Sequence, residues 1–132
     1  MTGAGAVPSQ ATPGCVLIVE DDDGVSESLR DALLDEGYAA AVARNGQEAL
    51  DWLAAHPHPQ LILLDLWMPV LTGEEFRVRQ LADPALAGIP VIIISAAPDA
   101  RARGRALQAA GVLTKPVNLH KLLAMVAQHR TP

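Results

Sequence analysis

The sequence predicts an α/β fold in which five parallel strands form a doubly wound sheet with helices on both faces. From residue 15 onward, short apolar runs alternate with longer segments whose apolar residues recur at helical spacing. Half of the 132 residues are hydrophobic and only 3% are aromatic, so the core should be aliphatic. Three runs of branched apolar residues are typical of strands buried on both faces of a sheet: 16–19, 61–64 and 91–94.

The first half of the chain is predicted to hold three strands and two helices. Helix one carries apolar residues at helical spacing and ends before Gly37, the expected C′ residue. Helix two opens at Asn45, with Glu48 three positions later as a capping pair, and the His-Pro repeat 56–59 ends it. The three strands are assigned to 15–20, 38–43 and 60–65.

The second half continues the same alternation with right-handed crossovers. Helix four is predicted over about Asp99–Ala110, with Gly111 as the residue that ends it. The other elements are helix three from Thr72 or Gly73 to Asp83, strand four after Pro90, a very short strand five at 112–114, and helix five from Asn118.

The length of the chain is sufficient for one domain with a single core, which we place at 15–130 with no output domain after it. The stretch Met1–Gly14 is rich in Gly, Ala, Pro and Thr, and we interpret it as a disordered N-terminal tail. It has neither the basic start nor the apolar centre of a secretory signal.

Charge and composition exclude several classes of partner. The net charge of −5 argues against direct nucleic-acid binding, because a phosphate backbone needs a basic face. No apolar run approaches the roughly 20 residues that span a bilayer, so no membrane role is expected. The lone Cys15 suits a reducing, cytoplasmic compartment. We expect a monomer or a weak homodimer.

Chemically reactive side chains follow four of the predicted strands. Glu20 and Asp21 come after strand one, Asp65 ends strand three, Ser95 ends strand four and Lys115 follows strand five. In an open parallel sheet, ligands bind just outside the carboxyl ends of the strands. The sequence therefore predicts that acidic, hydroxyl and ammonium groups converge on one edge.

This combination of groups suits phosphoryl transfer with a metal. Two carboxylates ~4 Å apart repel by roughly 4 kcal/mol at an effective dielectric of 20, and a divalent cation removes that repulsion. Mg²⁺ takes oxygen ligands, including one or two carboxylates. One oxygen of Asp65 is then free to act as a nucleophile, and carboxylates do form acyl phosphates. Strand alternation does not select the metal ligands among the four consecutive acids 20–23; Asp22 or Asp23 is expected to cap helix one.

Four stretches in this order resemble the receiver domain of two-component response regulators over residues 15–130: 16–22, 65–69 with Gly73, 95–96, and 115–116. The resemblance implies a flavodoxin-like fold with strand order 2-1-3-4-5. It also implies Mg²⁺ as cofactor and a phosphoryl group received from a histidine kinase or a histidine phosphotransfer protein in the cytoplasm. Such a domain signals by protein–protein contact and is not an enzyme in the usual sense.

The resemblance also implies a role for each site residue. Asp65 would be the phosphoacceptor, Ser95 and the backbone of Ala96 would bind the phosphoryl oxygens, and Lys115 would pair with the phosphate. A cis peptide bond is implied before Pro116. The implied metal ligands are Glu20, Asp21, Asp65 and the backbone carbonyl of Trp67.

Two positions depart from the family pattern. Receivers usually carry Tyr or Phe three residues before the lysine, where this chain has Val112, and the loop 111–115 is short. Val112 either packs beneath helix four or marks an altered switch; the second case allows a binding module that works without phosphorylation. Aspartyl phosphatases often place a second acid at the position of Trp67, which argues against that class. Trp67, with the inert Ala97, either shields the phosphoryl group from water or lies flat on the surface.

Overall fold

The computed structural model describes residues 14–129, in which five parallel strands form one sheet. The strands are β1 (Cys15–Val19), β2 (Ala39–Ala43), β3 (Leu61–Asp65), β4 (Val91–Ser95) and β5 (Gly111–Thr114). The helices are α1 (Asp23–Asp35), α2 (Gly46–Ala55), α3 (Gly73–Ala82), α4 (Ala100–Ala106) and α5 (Leu119–Gln128). The order β2-β1-β3-β4-β5 confirms the predicted topology. The predicted tail, apart from Gly14, lies outside the described residues.

The core lies on both faces of the sheet because successive side chains of each strand point to opposite sides. Val16 and Ile18 of β1 pack with α1 and α5, whereas Leu17 and Val19 pack with α2 and α3. Fully burying one such side chain contributes about 1.5–3 kcal/mol, so β1, β3 and β4 anchor the fold. Within residues 14–129, no helix has the length and apolar character needed to cross a bilayer.

The ends of α1 and α2 follow the capping signals in the sequence. Asp22 caps α1, and its carboxylate accepts a hydrogen bond of 3.0 Å from the amide of Val25. Gly37 follows α1 in the left-handed conformation with φ 91°. Asn45 caps α2 by accepting a 2.9 Å hydrogen bond from the amide of Glu48. Of the two acids left open as the α1 cap, the structure selects Asp22.

The predicted extent of helix four was wrong. The prediction ran over Asp99–Ala110 and used Gly111 as the stop, but α4 ends at Ala106 and Gly111 begins β5. Gln108 takes the left-handed position after the helix, with φ 57°. The amides of Gln108 and the next residue close back on the last turn with hydrogen bonds of 3.1 and 2.9 Å, a Schellman arrangement. Glutamine is not the usual residue there, so the sequence offered no stop signal.

Arg77 of α3 holds this early helix end in place. Its side chain is buried, and its guanidinium donates 2.9 Å hydrogen bonds to the carbonyl oxygens of Leu107 and Gln108. A third hydrogen bond of 2.8 Å reaches the side-chain oxygen of Gln80. The last carbonyls of a helix carry partial negative charge and lack partners within the helix, so a buried cation is well matched to them.

Val112 lies beneath α4, at a point where the helix has no side chain. It is partly buried in the cluster between the sheet and its helices, and it pairs with Ile93 of β4. A Cβ atom on Gly104 of α4 would collide with the Val112 side chain. Val112 therefore packs beneath helix four, which is the simpler of the two interpretations of this departure.

We predict that Arg77→Ala lowers the free energy of unfolding by about 2 kcal/mol, because hydrogen bonds from a charged donor to partly buried carbonyls are lost. Urea denaturation followed by circular dichroism measures the change. The matched control is Arg79→Ala, an exposed arginine of the same helix, which should change stability by less than about 0.5 kcal/mol. Equal losses for the two variants would contradict the role of Arg77.

Candidate functional site

Three carboxylates lie together at the carboxyl edge of the sheet. β1 and β3 pair with Val19 opposite Leu64, so the next residues along, Glu20 and Asp65, are neighbours. Each of Glu20, Asp21 and Asp65 offers one oxygen, and these oxygens all lie within 4.8 Å of one another. Glu20 and Asp65 are only 1% and 5% exposed, whereas Asp21 is exposed. Two of the three negative charges are thus removed from water.

Lys115 brings the compensating charge from the end of β5. Its Nζ atom lies 2.8 Å from Oε1 of Glu20 and 3.4 Å from Oδ2 of Asp65. The backbone amide of Lys115 donates a 2.9 Å hydrogen bond to the carbonyl oxygen of Ser95, which ties the loop to β4. The bond between Lys115 and Pro116 is cis, as the resemblance implied. One ammonium therefore faces two buried carboxylates.

The pKa of Glu20 is raised because one ammonium does not fully compensate two buried carboxylates. Burial raises the pKa of Glu20 to about 6, and the negative charge of Asp65 acts in the same direction. Hydrogen bonding from Lys115 and from the backbone of Asp22 lowers the pKa of Glu20 but does not cancel the burial effect. For Lys115, burial lowers the pKa, but the hydrogen bond to Glu20 and the charges of both carboxylates outweigh it and raise the pKa.

The donor set fits a hard divalent cation. Oε1 of Glu20 is buried and faces the Lys115 ammonium at 2.8 Å. Oε2 is held by the amide of Asp22 at 3.1 Å, which fixes the orientation of the carboxylate. Oxygen ligands of this kind, with one exposed acid on the solvent side, match the preference of Mg²⁺.

Ser95 and Ala96 lie beside the carboxylates at the end of β4. Asp65 pairs with Ile94, so Ser95 is one residue further along the neighbouring strand. The Ser95 side chain is buried, and its Oγ accepts a 3.0 Å hydrogen bond from the amide of Ala97. In the part of the chain that the structure describes, this hydroxyl donates to no partner, so its proton is available to a ligand. Ala96 follows it and is exposed.

After β3 the chain loops back, so that the first residue of α3 lies against the backbone of Asp65. The amide of Trp67 donates a 3.3 Å hydrogen bond to Oδ1 of Asp65, while the Trp67 side chain is 59% exposed. Gly73 begins α3, and a Cβ atom there would collide with the carbonyl oxygen of Asp65. Only glycine permits this approach, which explains why the sequence has Gly73 at the start of the helix.

Arg44 is a charged residue at this edge that the sequence analysis missed. It follows β2, and its Nη1 atom lies 2.6 Å from Oδ1 of Asp23 at the start of α1. Both side chains are more than half exposed, so water and salt screen the attraction between them. Its place directly after a predicted strand was the signal that could have located it, since every strand of a parallel sheet ends at the same edge.

The fold and the site together define a doubly wound α/β domain with an acidic site at the carboxyl ends of its strands. The chain belongs to the response regulator receiver domain family, whose family model matches residues 16–127. It is therefore a receiver domain of two-component signalling, a signalling module and not a metabolic enzyme.

The chain is similar to part of a response regulator and to part of a sensor histidine kinase. Response regulator MprA of Mycolicibacterium vanbaalenii is 39% identical over 85% of this chain and 48% of its own length. Sensor histidine kinase TmoS of Ectopseudomonas mendocina is 34% identical over 96% of this chain and 13% of its own length. The crystal structure of a response regulator receiver protein from Pseudomonas putida has a TM-score of 0.82 and 28% identity, and the match covers 90% of this chain and 99% of that one. The chain thus spans about half, or much less, of these curated relatives.

We predict that the stability advantage of Glu20→Gln over the wild type grows by about 1 kcal/mol between pH 5 and pH 7.5 in EDTA. The folded pKa of Glu20 is about 6, above the usual 4.5, so its contribution is favourable at low pH and is lost as pH rises through 6. Glutamine does not titrate. Urea denaturation of both proteins at the two pH values measures the difference, and a difference that is independent of pH would contradict the raised pKa.

Proposed function

We propose that this receiver domain accepts a phosphoryl group on Asp65 from a histidine kinase or a histidine phosphotransfer protein, with Mg²⁺ bound, and signals by protein–protein contact. The observation that carries the proposal is the position of the Asp65 carboxylate. It lies among Glu20, Asp21 and Lys115, with Oδ2 3.4 Å from the ammonium and the partner oxygens within 4.8 Å. The single, unpaired Cys15 is compatible with a reducing cytoplasm, where we place the domain.

We assign metal binding to Glu20, Asp21, Asp65 and the backbone carbonyl of Trp67. Bound Mg²⁺ would supply the positive charge that the one ammonium cannot, and would stabilise negative charge on the phosphoryl oxygens. When the charge of Glu20 is met in this way, Lys115 is free to pair with Asp65 or with its phosphoryl group.

In the proposed reaction, one carboxylate oxygen of Asp65 attacks the phosphorus of a phosphohistidine. The new O–P bond forms as the P–N bond breaks, and the donor imidazole leaves with the electron pair of that bond. Lys115, the hydroxyl of Ser95 and the amide of Ala96 would hold the phosphoryl oxygens, which carry the charge that develops during transfer. These groups follow the ends of β4 and β5, at the carboxyl edge of the sheet.

The similarity to both a response regulator and a sensor histidine kinase supports a kinase-linked role without specifying the parent system. The alternative, a receiver-like module that works without phosphorylation, depended on Val112 marking an altered switch. Because Val112 packs beneath α4 and the groups around Asp65 remain together, no observation favours that alternative.

We expect incubation with acetyl phosphate and Mg²⁺ to add one phosphoryl group, detected by intact-protein mass spectrometry. Asp65→Asn and EDTA should each abolish the gain, because the nucleophile or the cation is then missing. The matched control is Asp51→Asn, an exposed acid of α2, which should be modified like the wild type. Continuous hydrolysis of a phosphate ester would indicate a phosphatase instead, and no modification would rule out the proposal.

We also expect the phosphorylated Trp67→Asn variant to lose its phosphoryl group several-fold faster than the wild type. Trp67 lies two residues beyond Asp65, and its large apolar ring would hinder the attacking water; an amide could orient that water instead. The decay of the phosphorylated mass after removal of acetyl phosphate gives both rates. Equal rates would show that Trp67 merely lies on the surface.

A further inference from the structure

The outer side of β2 is an open edge of the sheet. β2 stands last in the strand order and pairs with β1 alone among residues 14–129. The amide of Ala39 and the carbonyl oxygen of Ala43 form hydrogen bonds on the β1 side, at 2.8 and 2.9 Å. The backbone groups of a strand in a parallel pair point alternately toward and away from its partner. Ala40 and Val42 therefore direct their N–H and C=O groups outward, away from β1.

The outward groups of Ala40 and Val42 have no hydrogen-bond partner in the part of the chain that the structure describes. The edge is closed on either side of them: the amide of Tyr38 donates to a carbonyl oxygen of α1 at 3.0 Å, and the amide of Arg44 donates to the carboxylate of Glu48 at 2.9 Å. β2 itself contains no charged residue, proline or bulge, the features that keep edge strands from pairing. Two adjacent outward residues are thus open to another strand.

One flank of α1 lies beside this edge. Arg44 directly follows β2 and forms an ion pair with Asp23, the first residue of α1. Leu34 comes roughly three helical turns after Asp23, so the two residues lie on the same flank of the helix. The side chains of Ala40 and Val42 pack on the face of the sheet that α1 covers. Leu34 is 49% exposed, so an apolar side chain stands uncovered next to the open strand.

The same flank of α1 carries both signs of charge. Glu27 and Arg30 are exposed and lie between Asp23 and Leu34 at spacings of three or four residues. Neither Glu27 nor Arg30 forms an ion pair within residues 14–129. A two-fold axis at the strand edge would place the α1 helices of two copies antiparallel, with Arg30 of each beside Glu27 of the other. This surface is complementary in charge to itself, which favours a second copy over an unrelated strand.

The spacing of the outward residues also fits a second copy. Ala40 and Val42 lie symmetrically about Ala41. In an antiparallel pair centred on Ala41, Ala40 of each copy exchanges two hydrogen bonds with Val42 of the other, and every outward group of both residues is satisfied. Ala41 would face its own counterpart at the axis, where Cα atoms come within about 4.5 Å of each other and a methyl side chain fits.

We propose that the β2 edge binds a second copy of this chain, so that two five-stranded sheets join into one continuous sheet about an axis at Ala41. The α1 helices of the two copies then lie side by side, which covers Leu34 and pairs Glu27 with Arg30. Because only two residues of each strand are open, the dimer is weak and reversible. The strand that carries Asp65 is separated from this edge by β1, so dimerisation leaves the acidic site accessible.

Sedimentation equilibrium measures the association, and amide hydrogen exchange followed by NMR locates it. We expect the weight-average mass to rise from that of one chain toward that of two as the protein concentration increases. At high concentration the amides of Ala40 and Val42 should exchange several-fold more slowly than at low concentration. The amide of Ala41 points toward β1, so its exchange rate should not depend on concentration.

Two substitutions test the strand and the helix separately. Ala40→Pro removes an outward N–H and keeps the donors that face β1, so the dissociation constant of the dimer should rise about tenfold. Leu34→Glu removes the apolar side chain next to the edge and should have a similar effect. Both variants should keep the circular dichroism spectrum of the wild type.

Each substitution has a matched control. Ala39→Pro removes a donor of the same strand that bonds on the β1 side, so it should lower the stability of the fold but leave the dissociation constant within about threefold of the wild type. Val78→Glu places the same charge at an exposed valine of α3 and should change the dissociation constant by less than about twofold.

A chain that stays monomeric up to about 1 mM would overturn the proposal. A dimer that Ala40→Pro and Leu34→Glu leave intact, or that the two controls weaken equally, would also overturn it. Slow exchange of Ala40 and Val42 at every concentration, lost on removal of residues 1–13, would assign the edge to that segment instead of a second copy.

Discussion

The burial of two carboxylates beside a single ammonium is the constraint on which the rest of this structure depends. Glu20 and Asp65 are almost fully removed from water, and Lys115 is the one cation in contact with both within residues 14–129. Burying a charge without full compensation is costly, and here the cost appears as the raised pKa of Glu20. In the function we propose, a cation bound at these oxygens would supply the missing positive charge.

The surrounding backbone holds the two carboxylates close together in the interior. β1 and β3 pair in register so that both acids emerge side by side, and the central position of these strands buries them from two directions. Gly73 lets α3 approach the backbone of Asp65, and the amide of Asp22 orients Glu20. The aliphatic core supplies the stability that offsets the cost of the site, because the three central strands are buried on both faces.

Charged residues are unevenly distributed, with acidic side chains at the carboxylate site and mostly basic ones in α4 and α5. The β5–α5 connection links the two regions: it supplies Lys115 to the acidic edge and Pro116 to a hollow between α4, β5 and α5. Arg77 fixes the position of the end of α4 relative to α3 through hydrogen bonds to the carbonyls of Leu107 and Gln108.

Most of the fold could be predicted from local sequence patterns. Buried strands read as continuous apolar runs, and Gly37 and Asn45 marked helix ends because few residues suit those positions. The strand ends also indicated which polar residues would meet, since parallel strands finish at a common edge. The early end of α4 was missed, because a glutamine at φ 57° gives no warning and its support comes from Arg77, about thirty residues away.

By itself, the sequence determined the order of elements and the residues at the acidic edge. Only the tertiary structure decided that Lys115 lies nearer Glu20 than Asp65 and that a hollow opens beside β5. These features depend on distances between side chains remote in the chain. Such distances are set by packing across the whole domain, which no local pattern encodes.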